Sequence, residues 1–292
     1  MKIVELSNHA ADQLQKREAE RQVRYDKEMQ VYEDRLHARQ DKIDAGRTNR
    51  RAAWEQGRYL QATGHALAVV WHCARRLMES RGKPVEEDPG IVDHIWEQGM
   101  DGEDALAEYL ARTLADEWTL VRGYKNPKGE LDAVLVGPPG IYAMEIKNHK
   151  GVIECDGDDW KRDKFDSYGN LVACGEPMAD RGGRSPSRQV NEPADLLERY
   201  LRKTMPVRIS RCVVFTNEDA ELGDVRNLTV DAVFLLSHND LSGMLQQSTS
   251  RLTSVEVERA VRQIERDHRY YQAKRTRRPV PDPASSDLVS AT

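Results

Sequence analysis

Apolar and polar positions change their period several times along this chain. From about Ser7 to Arg58 the residues are dense in Glu, Lys, Arg and Gln, with no proline. Apolar residues there are sparse: Leu14, Val23, Tyr25, Met29, Val31, Tyr32, Leu36 and Ile43. The pattern predicts one long helix laced with i,i+4 ion pairs and capped by Ser7 or Asn8. Its apolar spacing resembles a heptad only loosely, so it reads as a coiled-coil or partner-binding helix or as a solvated arm. A second helical stretch, about Trp54 to Ser80, is richer in apolar residues, among them Leu60, Leu67, Val69, Val70, Trp71, Leu77 and Met78. It could fold back on the first as a hairpin or meet a neighbouring subunit. The turn-rich run Arg81-Gly82-Lys83-Pro84 to Pro89-Gly90 marks a boundary.

Residues 91–115 read as a helix with an apolar stripe of Ile95, Leu106, Tyr109, Leu110 and Leu114. Strands follow at 118–124, 131–137, 141–147 and 152–155. Residues 156–188 are polar and rich in Asp, Gly and Arg, and read as a long loop. A helix from about Pro193 to Lys203, strands at 211–216 and 232–236, and helices at 238–247 and 254–273 complete the chain. The Arg-, Pro- and Ser-rich tail after Lys274 reads as disordered. This order predicts an α/β sandwich. Three segments result: a charged helical arm over 1–90, a central domain over 91–250, and a C-terminal helix with a basic tail over 251–292.

Composition narrows the picture. Of 292 residues 32% are charged and 6% aromatic, and the mean hydropathy is −0.73, so part of the chain is solvated rather than core. A net charge of −5 gives no global signature for nucleic acid, so any such contact must rest on a local patch. Cys73, Cys155, Cys174 and Cys212 form no CxxC pair, which argues against a zinc ribbon and for a reduced cytoplasmic chain. The most apolar stretch, Ala62 to Ala74, is far shorter than the roughly 20 residues of a membrane span. No membrane association is expected.

The candidate chemistry sits in Leu131-Asp132-Ala133-Val134-Leu135-Val136 and, after Pro138-Pro139-Gly140, in Ile141-Tyr142-Ala143-Met144-Glu145-Ile146-Lys147. Strand alternation puts Glu145 and Lys147 on one face with Ala143, while Met144 and Ile146 take the other. Two carboxylates and a lysine on apolar strands are costly to bury. Hard oxygen ligands from Asp132 and Glu145 suit Mg²⁺, and Lys147 could hold or deprotonate a water or stabilise charge on a phosphate. The plainer reading is a buried ion pair that holds the sheet together. His65 and His72, seven apart, read as packing or surface residues, and His149 as a turn residue.

These residues resemble the nuclease-related domain (NERD) family, a branch of the PD-(D/E)xK, restriction-endonuclease-like superfamily. Gly99-Met100-Asp101-Gly102-Glu103 is similar to the family's Gly-x-x-Gly-Glu helix opening. Leu131-Asp132 is similar to its aspartate strand, and Gly140-Ile141-Tyr142 through Glu145-Ile146-Lys147-Asn148, with Gly151, to its Glu-x-Lys core. Trp160 and Ser185-Pro186-Ser187-Arg188-Gln189 resemble its loop tryptophan and the segment before the next helix. The match spans roughly residues 95–240. Leu131 replaces the proline that names the superfamily, and Ser185 stands where asparagine is common. The resemblance implies a central mixed sheet flanked by helices. It also implies Mg²⁺ (or Mn²⁺) held by Asp132, Glu145 and Glu103, Lys147 positioning a water, and Gln189 orienting the site or touching phosphate.

The expected activity is therefore metal-dependent hydrolysis of phosphodiester bonds in nucleic acid, DNA in the first place. Lys161, Arg162, Lys164 and Arg184, with Trp160 to stack bases, would grip the strand from the loop beside the site. The N-terminal helices would mediate homo-oligomerisation or bind a partner protein. The alternative is a catalytically weak nucleic-acid-binding or scaffold protein that keeps the fold and acts through its arm.

Overall fold

The structure is a computed structural model that describes residues 1–166, 168–238, 241, 243, 245 and 252–276. The chain forms two compact units: Asp12–His94, and Met1–Ala11 together with the chain from Ile95 onward.

In the first unit, α1 (His9–Glu55) and α2 (Tyr59–Ser80) form an antiparallel hairpin. Asn8, at the start of α1, accepts the Ala11 backbone N–H at 3.0 Å, as an N-cap does. Apolar material inside the hairpin is thin: Ile43, Ala53 and Ala62 are buried, and Val69 lies against Gly46. Polar contacts supplement it. Arg39 holds Glu79 through Nη2–Oε1 at 2.6 Å, its guanidinium lies 5.5 Å from the Trp71 ring centre, and Tyr32 Oη donates to the Ser80 carbonyl.

The second unit is built on a six-stranded mixed sheet. Its strands are β1 (Lys2–Glu5), β2 (Thr119–Asn126), β3 (Gly129–Gly137), β4 (Gly140–Lys147), β8 (Ile209–Phe215) and β10 (Ala232–Leu235), in that spatial order. The β2–β3–β4 strands are an antiparallel meander, while β1 joins β2, and β8 joins β4, in parallel. Alternation along each strand feeds two cores. Val134, Val136, Ile141, Ala143, Val213 and Phe215 face α4 (Pro186–Leu201) and α5 (Ser254–Thr276). Ala133, Leu135, Tyr142, Met144, Cys212 and Val214 face α3 (Ile91–Thr113) through Leu106 and Leu110. A sheet with apolar residues on both faces must be covered twice, and the helices do this.

Four differences from the sequence-based expectation have clear physical causes. The stretch 156–188 is not one loop. It holds β6 (Asp159–Phe165) and β7 (Leu171–Pro177), which with β5 (Gly151–Asp156) and β9 (Ala220–Arg226) make a four-stranded second sheet. Strands β6 and β7 lack apolar alternation because charge pairs across the ladder, Arg162 and Lys164 to Glu176, stand in for it. Helix α4 starts at Pro186, not Pro193, because Ser185 caps it by accepting the Arg188 N–H and Pro186 fits the first turn. The first residues, outside any predicted element, form β1, with Lys2 opposite Thr119. The C-terminal helix is no appendage: Val257, Ala260, Val261 and Ile264 are buried in the first core, and Tyr124 Oη donates to Asp267 of α5. Most of the helix expected over 238–247 lies outside the described residues, as does the chain after 276.

Candidate functional site

Strands β3 and β4 remain paired from Gly137/Gly140 to Ala133 opposite Met144. At the next position a side chain replaces the ladder: Asp132 Oδ2 accepts the Ile146 backbone N–H at 2.7 Å. Its carboxylate is thereby fixed beside Glu145, which points the same way in the adjacent strand. Glu145 is 4% exposed. Lys147, two residues on and on the same face, donates from Nζ to Glu145 Oε1 at 2.6 Å and to Gln189 Oε1 at 3.0 Å. Gln189 comes from the first turn of α4, and its amide donates to the Arg184 carbonyl at 2.9 Å. Strand geometry and one capped helix thus bring together four of the sequence-predicted residues: Asp132, Glu145, Lys147 and Gln189.

Burial, followed by the charge on Glu145, holds the Asp132 carboxyl well above the usual carboxylate range. Burial also raises Glu145, although Lys147 pulls it back. Burial works against the Lys147 ammonium, but Glu145 and Asp132 outweigh it, so its proton is held more tightly than usual. Its Nζ donates both of the hydrogen bonds it makes here, to Glu145 and to Gln189.

Glu103, the fifth predicted residue, is placed differently. It projects from α3 and pairs with Arg122, Oε2 to Nη2 at 3.4 Å, while Arg122 also holds Asp104 at 2.8 Å. Burial raises the Glu103 carboxyl against the pull of Arg122, and its charge reaches Asp132. Among the described residues no three His, Cys, Asp or Glu side chains form a metal-holding group. The donor set that does converge is Asp132 with Glu145. It fits a hard divalent cation, because Mg²⁺ takes one or two carboxylates and keeps several waters. One oxygen of each carboxylate is engaged, by the Ile146 N–H and by Lys147. Ionised together, the buried Glu145 and the half-buried Asp132 outnumber the one lysine between them, and a cation would offset that charge.

The predicted nucleic-acid contacts divide. Trp160 is a correction: it is 2% exposed, its Nε1 donates to Ser187 Oγ at 2.6 Å, and its ring packs near Phe215, so it cannot stack on a base. It anchors β6 to α4. Lys161 pairs with Asp159, and Arg162 and Lys164 with Glu176. Arg184 is clamped by Asp180, yet its charge reaches Glu145. It also borders a cleft of Lys125, Lys128 and Lys274.

Sequence reading missed what holds these residues. Asp180 Oδ1 accepts the Gly182 and Arg184 backbone N–H groups, which shapes the loop whose carbonyl orients Gln189. The signal was Asp180-Arg181-Gly182-Gly183, an Asx-turn pattern. Asn148 ties the end of β4 to α3 and β8, donating to the Gln98 carbonyl and accepting from Asn217. Gly102 faces this junction, where an added Cβ would lie 2.8 Å from Thr216 Oγ1 and 3.0 Å from Asn148 Cβ. Ser185 both caps α4 and donates to Asp158.

A helix-flanked mixed sheet with Asp132 and Glu-x-Lys on adjacent strands defines a restriction-endonuclease-like core. Residues 98–216 match the family model of the nuclease-related domain (NERD), whose general fold is that of the PD-(D/E)xK superfamily. The match begins at α3 and ends after β8, so it encloses all five predicted catalytic residues. Comparison with curated proteins and with solved structures returned no match. Among the described residues no helix is long and apolar enough to cross a membrane.

Proposed function

We propose that the protein is a metal-dependent nuclease that hydrolyses phosphodiester bonds, with DNA as the substrate. The observation that carries this reading is the convergence of Asp132, Glu145, Lys147 and Gln189 inside the nuclease-related domain. Asp132 and Glu145 would hold Mg²⁺ or Mn²⁺, with Glu103 adding negative charge from α3. Such an ion supplies Lewis-acid stabilisation of charge on the phosphate. Lys147, protonated and aimed by Glu145 and Gln189, orients the attacking water by donating to it and offsets charge on the phosphate oxygens. Gln189 keeps the ammonium in line. The cleft that Lys128 and Lys274 line, where Lys125 is paired with Glu130 and Arg184 with Asp180, supports a path for the strand's phosphates. Four free cysteines support a reducing cytoplasm.

The test is cleavage of plasmid and of defined oligonucleotides with Mg²⁺ or Mn²⁺. Lys147→Ala and Asp132→Ala are each expected to lower the rate by at least about 100-fold, the scale of a lost transition-state donor or ligand. Activity that survives both changes sinks the assignment. Calorimetric titration with Mn²⁺ provides a second readout, expected to lose binding in Glu145→Ala.

A further inference from the structure

The α1–α2 hairpin leaves one face of α2 uncovered. The covered side is marked by Ala62, 2% exposed, by Val69 against Gly46, and by Glu79 in the grip of Arg39. A helix turns about 100° per residue, which sets Leu60, Gly64, Leu67, Trp71, Ala74 and Met78 within roughly 40° of the line opposite Val69. All six are exposed. Leu60, Leu67 and Met78 are 91%, 72% and 66% exposed, and Trp71, with the Arg39 guanidinium of α1 5.5 Å from its ring centre, is 58% exposed. Their steps alternate four and three residues, the spacing of an a/d coiled-coil seam.

This seam is self-complementary when reversed. With residue 69 as the midpoint of an antiparallel pair, Leu60 stands level with Met78 of the second copy, Gly64 with Ala74, and Leu67 with Trp71. Large residues meet large ones, and the two small positions meet each other, so the backbones can approach. With Val70 and Leu77 flanking the seam, closure removes several hundred Å² of apolar surface per copy, the scale of the roughly 800 Å² per partner in a standard stable interface.

We infer that α2 pairs with α2 of a second copy about a two-fold axis, so that two α1–α2 hairpins form a four-helix bundle. The proposal does not depend on nuclease activity. Sedimentation of the full chain at micromolar concentration is expected to give about twice the 33.3 kDa chain mass. Leu60→Glu/Leu67→Glu is expected to sediment as a single chain with an unchanged helix signal. Direction is read by cross-linking in a Cys73→Ser/Cys174→Ser background. An equal mixture of Gly64→Cys and Ala74→Cys proteins should form the interchain disulfide. Neither should do so alone, since like positions lie about 15 Å apart along the axis at 1.5 Å per residue. A native chain that sediments at its single mass overturns the proposal and leaves the face to a different protein. A dimer that survives the double glutamate change, or a disulfide in the unmixed samples, overturns it equally.

Discussion

Lys147 is gripped by one carboxylate and one amide oxygen, and both contacts favour its charged form. The amide is replaceable: Gln189→Ala should lower kcat by about 10- to 100-fold, as loss of a supporting partner commonly does, with the circular dichroism spectrum unchanged. An unaltered kcat would remove Gln189 from the site. Gly102 is a packing requirement where α3 meets β4 and β8. Gly102→Ala must displace Thr216 or Asn148, at about 1–3 kcal/mol in a denaturant titration. His149 offers a pH readout near the site: burial, then the charges of Arg162 and Lys147, lower its pKa to about 4. Its folded value lies below an unfolded value of about 6.5, so the neutral ring contributes full stability above about pH 6.5. That contribution is lost as the pH falls from there through about 4. An NMR titration of the imidazole with a midpoint near 6.5 would contradict this.

At the level of elements, α5 is locked to β2 by Tyr124 and Asp267, a donor and an acceptor that are both buried. Tyr124→Phe strands the Asp267 carboxylate and should lower stability by about 1–3 kcal/mol, measured by urea unfolding. Much of this architecture is legible in the sequence. The α3 stripe and strands β2, β3, β4 and β8 follow from apolar periodicity, and Asp132, Glu145 and Lys147 follow from their placement on strands. What escaped had only a short or irregular apolar signature. Strands β6 and β7 are held by ion pairs, β1 is four residues long, and the true start of α4 was hidden by a second proline at Pro193. Trp160 was misread because an aromatic among lysines and arginines looks like a base platform. Its burial depends on Ser187 and Phe215, both distant in sequence.

At the level of the whole molecule, the sheet unit is discontinuous, taking Met1–Ala11 from before the helical unit. Replacing residues 12–94 by a short flexible linker should preserve cooperative unfolding, because β1 stays on β2. Deleting residues 1–94 removes β1 with Val4 and Leu6, which pack against the first core, and should cost a further 2 kcal/mol or so of apolar burial. Equal midpoints for the two variants would show that β1 is dispensable. Strand β2 also joins distant parts of the chain, with β1 along its side and α5 locked through Tyr124. On the ribosome, Asp132, Glu145 and Lys147 emerge long before α5 does. At about 5–20 residues per second the interval is on the order of ten seconds. During that time the nascent chain carries its acidic strands without the helix that closes the core behind them. The onset of the proposed chemistry is therefore tied to the translation of α5, and a chain stalled before α5 holds Asp132, Glu145 and Lys147 but not the packed scaffold that aligns them.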